Sequence, residues 1–431
     1  MGILRLYLII FAVFFAVFFA VGVPIVLSLS VSAVLLLFIS NVDLLVFTQQ
    51  FFKSLDSYSL TAIFFFVLTG ELMNSGGMTK RIIAAVSKGF GKVPGGLAII
   101  AGISAAIFAA INGSAIATAV AIGAIMIPAM KEQNYDSAFS GAVVAAGGVV
   151  GPIIPPSIPV ILYGSITGAS IPGLFMGGLM LGILITAGHV AVSCFIGKKR
   201  GYYVKKGEAI AGVKPEDSRG VMWAFLLIVF IMVSVSLGIF TATESAAFSV
   251  VYSFVISKFV YRELDLSRLG EIFRRSMSQT GSVMAIVGSA SAVAWVLSYN
   301  RIPQMVADFL LAFAQNKLQF MLITFALLII VGMIMDLTPA NLILAPIFIA
   351  PIRAYGVNPI YFGVIFLAVL TAGLITPPVG TLIYTSCSMT KTTFSRMNKA
   401  LIPYILVTYG VILLAVIFPQ IITFLPNLLQ G

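Results

Sequence analysis

The chain has 431 residues, of which 60% are hydrophobic and only 9% are charged. Its mean hydropathy of +1.12 excludes an ordinary soluble domain, and apolar runs of about 20 residues, long enough to cross a bilayer, recur along it. The net charge of +11 is carried by short loops, where Lys and Arg indicate membrane orientation rather than a nucleic-acid surface.

The first half predicts two opening spans followed by several interrupted segments. Residues 3–40 are too long for one span at a rise of about 1.5 Å per residue, and should turn near Gly22. The apolar N-terminus shows no small-residue cleavage signal, so we expect it to be a retained span. After it we expect an amphipathic helix on the outer surface (41–56), an inward crossing (59–76), a helix along the inner surface (79–93), a re-entrant hairpin (95–130), an outward crossing (136–170) and a return (172–197).

The second half repeats the first at an offset of about 222 residues. The run GPIIPPSIPVILY, from Gly151 to Tyr163, matches LITPPVGTLIY, from Leu374 to Tyr384. Upstream of each, N-G-S at 112–114 stands opposite D-L-T-P at 336–339. The second hairpin is therefore expected over 319–352. Interrupted hydrophobic segments at corresponding places in two halves point to a secondary transporter with a site near the middle of the membrane.

The basic residues predict that the two halves have opposite orientations. Residues 41–58 hold only Lys53, whereas the equivalent loop 258–275 holds five Lys and Arg residues. Residues 78–93 hold four and their counterparts 300–317 hold two. The basic loops should be cytoplasmic, and both termini should then face outward. Five cations fall outside on this path: Arg5, Lys53, Arg301, Lys317 and Arg353.

Each double proline is expected to break a helix inside the membrane, because Pro lacks an N–H and clashes with the preceding turn. Glycines beside the breaks (Gly113, Gly151, Gly380) permit unusual backbone angles. Exposed helix N-termini favour anions, while freed carbonyls favour cations. Side-chain oxygens come from Asn112, Ser114, Ser157, Asp336, Thr338 and Thr376, a hard ligand set that suits Na⁺. The chain has no P-loop motif and a single His, so an ion gradient is the expected driving force.

Three ionisable residues within apolar runs have two interpretations each. Asp336 could bind an ion or cap the turn of the second hairpin, and the two roles are compatible. Glu71 could be structural or functional. His189 lies on an apolar helix with no acid nearby in sequence, which favours a structural role.

The repeated motifs resemble the large membrane subunit of tripartite ATP-independent periplasmic (TRAP) transporters over essentially the whole chain. N-G-S with IPAM, GPIIPPSIPVILYG, D-L-T-P with ILAPIFIAPIRAYGVNPIYFGVI, and LITPPVGTLIY carry the resemblance. It implies an all-α polytopic membrane protein with inverted repeats, two re-entrant hairpins and two broken helices. It also implies an elevator mechanism, Na⁺-coupled uptake of an organic acid (sialic acid or a C4-dicarboxylate) and location in the bacterial inner membrane.

The resemblance further implies partners and a site. The partners would be a periplasmic substrate-binding protein and a small membrane subunit, which we expect to be a separate chain. Two Na⁺ sites would lie at the hairpin tips, with Asn112, Ser114, Asp336, Thr338 and Thr376 as side chains near the ions. The complete substrate and ion site would comprise Asn112, Gly113, Ser114, Gly151, Pro155, Pro156, Ser157, Asp336, Thr338, Pro339, Thr376, Pro377 and Pro378.

The same resemblance suggests a division into domains. Scaffold helices and arms are expected at 1–93 and 221–317, and the two halves of a mobile transport domain at 94–197 and 318–431. Residues 198–220 would form a cytoplasmic linker.

The residues alone also allow two other classes of membrane protein. Ser114 and His189 could form the dyad of an intramembrane serine protease, although the second repeat has Thr338 in place of the serine and no histidine. The breaks alone would also suit an ion channel.

Overall fold

The regular structure in this computed structural model is helical, with no strand in the residues described: 13–15, 17–18, 21–90, 93–203, 218 and 220–430. Six helices are long and apolar enough to cross a membrane, and a bent pair would make a seventh. The prediction of an all-α membrane protein is confirmed.

The first repeat follows the predicted order. The chain turns at Gly22, whose φ is 85°, before the first complete helix. Its helices are α1 (Ile25–Ile39), α2 (Leu45–Leu55), α3 (Tyr58–Ser75), α4 (Met78–Phe90), α5 (Gly96–Asn112), α6 (Ala115–Glu132), α7 (Ser137–Val149), α8 (Ile158–Thr167) and α9 (Ile171–Arg200). Here α5 and α6 form the first hairpin, and α7 and α8 are the two pieces of the first broken helix.

The second repeat has the same order of helices, and its second helix, α11, corresponds to α1 of the first repeat. Its helices are α10 (Val221–Ser236), α11 (Ala242–Val255), α12 (Leu269–Tyr299), α13 (Ile302–Phe313), α14 (Lys317–Ile334), α15 (Leu337–Ala354), α16 (Pro359–Gly373), α17 (Thr381–Thr390), α18 (Phe394–Ile417) and α19 (Gln420–Gln430). The second hairpin is α14 with α15, and the second broken helix is α16 with α17.

One helix boundary differs between the two repeats, and another differs from the predicted segments. In the first repeat α2 and α3 meet at an angle of 61°, since Ser57 takes an extended conformation between them. In the second repeat the same stretch is one continuous helix, α12, of 31 residues. Helix α9 continues to Arg200, inside the predicted linker, and linker residues 204–217 and 219 lie outside the described part.

The two repeats exchange helices to build the segments predicted as scaffold. Helix α1 packs on α12, and α3 packs on α11. Leu29 and Leu36 of α1 share a buried cluster with Val293 of α12, and the Ser30 and Ser289 hydroxyls are hydrogen-bonded at 2.9 Å. Neither repeat can therefore bury its own apolar faces without the other.

The hairpins and broken helices interlock in the same reciprocal way. Helix α8 packs on α15 of the second hairpin, and α17 packs on α6 of the first. The side chain of Asn341 donates a hydrogen bond to the Pro159 carbonyl at 2.9 Å. A Cβ at Gly373 would lie 2.2 Å from the Gly332 carbonyl oxygen, so only glycine allows α14 and α16 this approach.

The two-fold relation between the repeats is broken where the hairpins meet the scaffold. The first hairpin contacts α3 and α4 through α5, its first helix. The second hairpin contacts α12 and α13 through α15, its second helix. The symmetry-related pairs, α14 with α12 and α6 with α3, do not pack to a comparable extent. The hairpins are therefore displaced from the symmetric position relative to the scaffold helices.

The inverted orientation of the repeats can be tested by chemical labelling. We expect single cysteines at positions 57 and 218 to react with an impermeant maleimide from opposite sides of the membrane, because the basic-residue bias reverses between the repeats. The measurement uses intact cells and inverted vesicles, with Cys194 and Cys387 replaced by serine. Labelling of both positions from one side would contradict the inverted topology.

Candidate functional site

The first hairpin tip is a tight polar turn inside the apolar core. Asn112 ends α5 and Gly113 follows with φ 62°, in the left-handed region. The Asn112 Oδ1 atom accepts hydrogen bonds from the Ser114 N–H at 2.8 Å and from the Thr118 hydroxyl at 3.1 Å. The Ser114 Oγ accepts the Ala117 N–H at 3.3 Å and so caps α6.

The first helix break lies directly against this tip. A Cβ at Gly113 would lie 2.7 Å from the Pro156 carbonyl oxygen, and one at Gly151 would lie 3.3 Å from the Ser114 carbonyl oxygen. Ser157 is fully buried. Its hydroxyl donates to the Pro152 carbonyl at 2.5 Å and accepts the Val160 N–H at 3.3 Å. This hydroxyl thus satisfies the broken backbone, while Pro155 and Pro156, joined by a cis bond, form the break.

The second hairpin tip presents the acid that the sequence singled out. Asp336 stands at the N-cap of α15 without a side-chain capping bond. Its Oδ1 accepts a long hydrogen bond of 3.4 Å from the Thr381 hydroxyl of α17. Asp336 and Thr338 are both half-buried, and Pro339 behind them is buried. The carboxylate also faces the N–H groups of Leu337 and Thr338, but it forms no ion pair with the described residues and retains lone pairs for a ligand.

The second break differs from the first in how its hydroxyl is used. Thr376 is buried, and its Oγ1 donates to the Ala372 carbonyl at 2.7 Å. The same hydroxyl is hydrogen-bonded to the Tyr409 hydroxyl at 3.1 Å. Pro377 and Pro378 follow with a cis bond, as in the first break. The Val379 N–H then donates to the Met333 carbonyl at 3.3 Å, tying the break to the second hairpin.

One cavity of about 160 Å³ joins the two hairpin tips. Its wall includes Ser114 of the first tip, Asp336 and Thr338 of the second, and Gln279 and Val283 of α12. The N-terminal ends of three helices line this cavity, through residues 115–116 of α6, 158–159 of α8 and 337–338 of α15. The breaks contribute Pro152 and Leu374 to the wall, and neither the double prolines nor Thr376 is among its lining residues.

A smaller cavity of about 30 Å³ adjoins the first tip. Asn112 and Ser114 line it from the hairpin, and Glu71, Asn74 and Gln279 line it from α3 and α12. A Cβ at Gly70 would lie 2.8 Å from the Asn112 Cβ, so α3 and the tip are in close contact here. Ser114 and Gln279 are shared by both cavities.

The oxygen ligands of the larger cavity fit a hard cation better than a soft one. A carboxylate and two hydroxyls line it, from Asp336, Thr338 and Ser114. Among the described residues, no three His, Cys, Asp or Glu side chains are grouped to hold a metal ion.

The residues not predicted from sequence include Gln279, which lines both cavities, and Thr381, whose hydroxyl donates to Asp336. Gln279 lies among several polar residues of α12, and nothing in its spacing distinguishes it. Thr381 stands inside the second repeated motif, but the repeat gives no reason to choose it over Thr376. Glu71 was noted for its intramembrane position, and the structure places it at the smaller cavity.

His189 and Ser114 do not form a dyad. The buried His189 bonds through Nε2 to the Thr408 hydroxyl at 2.8 Å and packs edge-on against Tyr404. Ser114 instead caps α6 within the hairpin. The histidine contacts thus match the structural role favoured by its sequence context.

Inverted repeats whose hairpin tips and helix breaks surround a cavity between membrane helices define a membrane transport protein. A family model described as "Tripartite ATP-independent periplasmic transporter, DctM component" matches residues 12–421. The chain belongs to this family, which confirms the predicted resemblance and the prediction that the protein is a transporter and not an enzyme.

Relatives with named substrates resemble the chain over nearly their full length. It is 34% identical over 402 residues to the 2,3-diketo-L-gulonate TRAP transporter large permease of Escherichia coli, covering 93% of this chain and 94% of the relative. It is 32% identical over 414 residues to the sialic acid large permease of Vibrio cholerae, covering 95% and 96%. It is 33% identical over 382 residues to the C4-dicarboxylate large permease of Pseudomonas aeruginosa, covering 88% of each.

The fold is also similar to that of a solved transporter. The crystal structure of the Alcanivorax borkumensis YdaH transporter superposes with a TM-score of 0.64, covering 87% of each chain at 14% sequence identity. At this identity the similarity concerns the fold alone.

Proposed function

We propose that this chain is the large subunit of a bacterial inner-membrane importer that carries an organic acid together with Na⁺. The observation that carries the proposal is the single cavity shared by the two hairpin tips, in which a carboxylate, two hydroxyls and three helix N-termini converge. One space thus offers ligands to a cation and to an anion at once.

The helix N-termini provide the anion-binding character. Free N–H groups and the helix dipole favour negative charge at the first turn of a helix. No Lys or Arg stands among the described residues lining the cavity. Backbone N–H groups at the starts of α6, α8 and α15, with neutral side-chain donors in the same wall, are therefore the groups available to hold a substrate carboxylate.

Asp336 provides the coupling to Na⁺. An unpaired carboxylate would repel an organic anion in the same cavity, and a bound cation removes that repulsion. Na⁺ near Asp336, Ser114 and Thr338 would therefore favour substrate binding, and the substrate would favour Na⁺ binding by the same free energy. Asn112 and Thr376 are proposed to support these ligands and not to bind the ion directly. Their side-chain oxygens already form hydrogen bonds with Thr118 and Tyr409, respectively.

Transport follows an elevator mechanism in this proposal. The hairpins and broken helices (94–197 and 318–431) move as one body past the scaffold (1–93 and 221–317). The unequal packing of the two hairpins on the scaffold supports this, because a displaced domain would break the two-fold relation in this way.

The substrate proposed is sialic acid or a C4-dicarboxylate. Relatives named for sialic acid, C4-dicarboxylates and 2,3-diketo-L-gulonate handle compounds that share a carboxylate. A small membrane subunit and a soluble periplasmic binding protein complete the system. The chain's outward loops are short, so the capture of dilute substrate is assigned to the binding protein.

Symport can be tested by using a substrate gradient to drive Na⁺ movement, instead of a Na⁺ gradient to drive substrate uptake. With no ion gradient, a substrate gradient imposed across liposomes holding the three components should drive ²²Na⁺ inward against its own concentration, because coupling is reciprocal. The control omits the substrate. Sialic acid and succinate are tested separately, and transport of either one without any ²²Na⁺ movement would contradict Na⁺ coupling.

A further inference from the structure

We propose that Gln279 is a substrate-contacting residue on the stationary scaffold, one that meets the organic acid only while the hairpin tips lie at the cytoplasmic end. This inference rests on the proposed function and assigns part of its substrate specificity to α12. The ligand chemistry is a carboxylate or hydroxyl of the transported acid, held by the side-chain amide.

Among the described scaffold residues, Gln279 has a position that no other shares. It lines both cavities, beside Ser114 in each. Its side chain is half-buried and makes no hydrogen bond to another part of the described chain. A partly buried amide without partners retains two donors and an acceptor for a ligand. Val283, one turn further along α12, adds only an apolar surface to the larger cavity.

Two scaffold helices independently show where the tips lie along the membrane normal. Gly70, against Asn112, is near the end of α3 that leads into the basic helix α4. Gln279 lies in the N-terminal part of α12, one turn after Arg274 and Arg275 of the same helix. Both basic segments are expected to be cytoplasmic. The tips are therefore at the cytoplasmic end of the scaffold.

The repeat relation predicts what happens to the contact between Gln279 and the substrate when the hairpin tips move to the outward position. The residue equivalent to Gln279 at an offset of about 222 is Ser57, at the opposite end of α3. In an outward position the tips would approach that end and leave Gln279 behind. Gln279 therefore adds affinity on the cytoplasmic side only, unlike Ser114 or Asp336, which would move with the substrate.

The test compares the two faces of the membrane. Liposomes hold the complex in one known orientation, and tracer exchange is measured with labelled N-acetylneuraminate, with succinate in a parallel series. Gln279→Ala should raise the half-saturating concentration on the cytoplasmic face by about tenfold, the effect of losing one hydrogen bond. The value on the periplasmic face and the half-saturating Na⁺ concentration should change by less than about twofold. Gln279→Glu, which places a like charge beside the acid, should show a larger loss on the same face.

Controls separate this inference from the proposed function. Ser278→Ala, an exposed neighbour, should leave both faces unchanged. In a variant lacking Cys194 and Cys387, a cysteine at position 279 should react with a cytoplasmic maleimide, and substrate should protect it. Equal effects on both faces, or no protection, would overturn the inference while wild-type Na⁺-coupled exchange persists. Absence of that wild-type exchange would instead overturn the proposed function.

Discussion

Replacing Asp336 with Asn is expected to raise the Na⁺ concentration for half-maximal uptake by at least about tenfold and to lower uptake at physiological Na⁺ accordingly. The substitution keeps the size of the side chain and removes one negative charge from the cavity. Two unit charges about 4 Å apart interact by about 4 kcal/mol at an effective dielectric constant of about 20. If desolvation offsets two thirds of that, the remainder still corresponds to about a factor of ten.

The control for this variant is Glu132→Gln, an exposed acid at the C-terminal end of α6, the opposite end of that helix from the hairpin tip. It should leave the Na⁺ dependence of uptake unchanged. Ser114→Ala and Thr338→Val should weaken Na⁺ binding by smaller factors, because each removes a neutral ligand and no charge. An Asp336→Asn transporter with the wild-type Na⁺ dependence would exclude Asp336 as an ion ligand.

The parts of the fold that the sequence predicts are those with strong local signals. The turn at Gly22, the break at Pro155 and the tip at Gly113 each use a backbone conformation that Gly or Pro favours. Long apolar runs fix the spans. Because these signals recur at one offset, both hairpins and both broken helices could be placed before the structure was known.

The site was harder to predict, because residues of the same type turn out to be used differently. Ser157 and Thr376 lie beside the breaks as expected, but their hydroxyls bond backbone carbonyls of the broken segments. Ser114 and Asp336 face the cavity. Local sequence cannot separate these cases, since the difference depends on which side of the break each side chain faces.

Contacts between distant segments also lie beyond a single sequence. Gln279 reaches the tips only because α12 packs beside the second hairpin in its displaced position.

Omitting the binding protein is expected to reduce uptake of dilute substrate to near background. The cavity lies between membrane helices, and the chain's outward loops are too short to form a capture domain of their own. The amphipathic helix α2, which has no fully buried residue, packs on α12. Both α2 and residues 300–317 are expected on the outer side. We expect these segments to contribute to docking of the binding protein.

We propose above all that this chain works as one part of a three-component, Na⁺-driven importer. The most direct test of this proposal is substrate uptake into liposomes containing the two membrane subunits, with and without the binding protein, under an inward Na⁺ gradient. Uptake should require both the gradient and the binding protein, and each omission alone should abolish accumulation. Strong uptake of free substrate by the membrane subunits without the binding protein would contradict the tripartite mechanism.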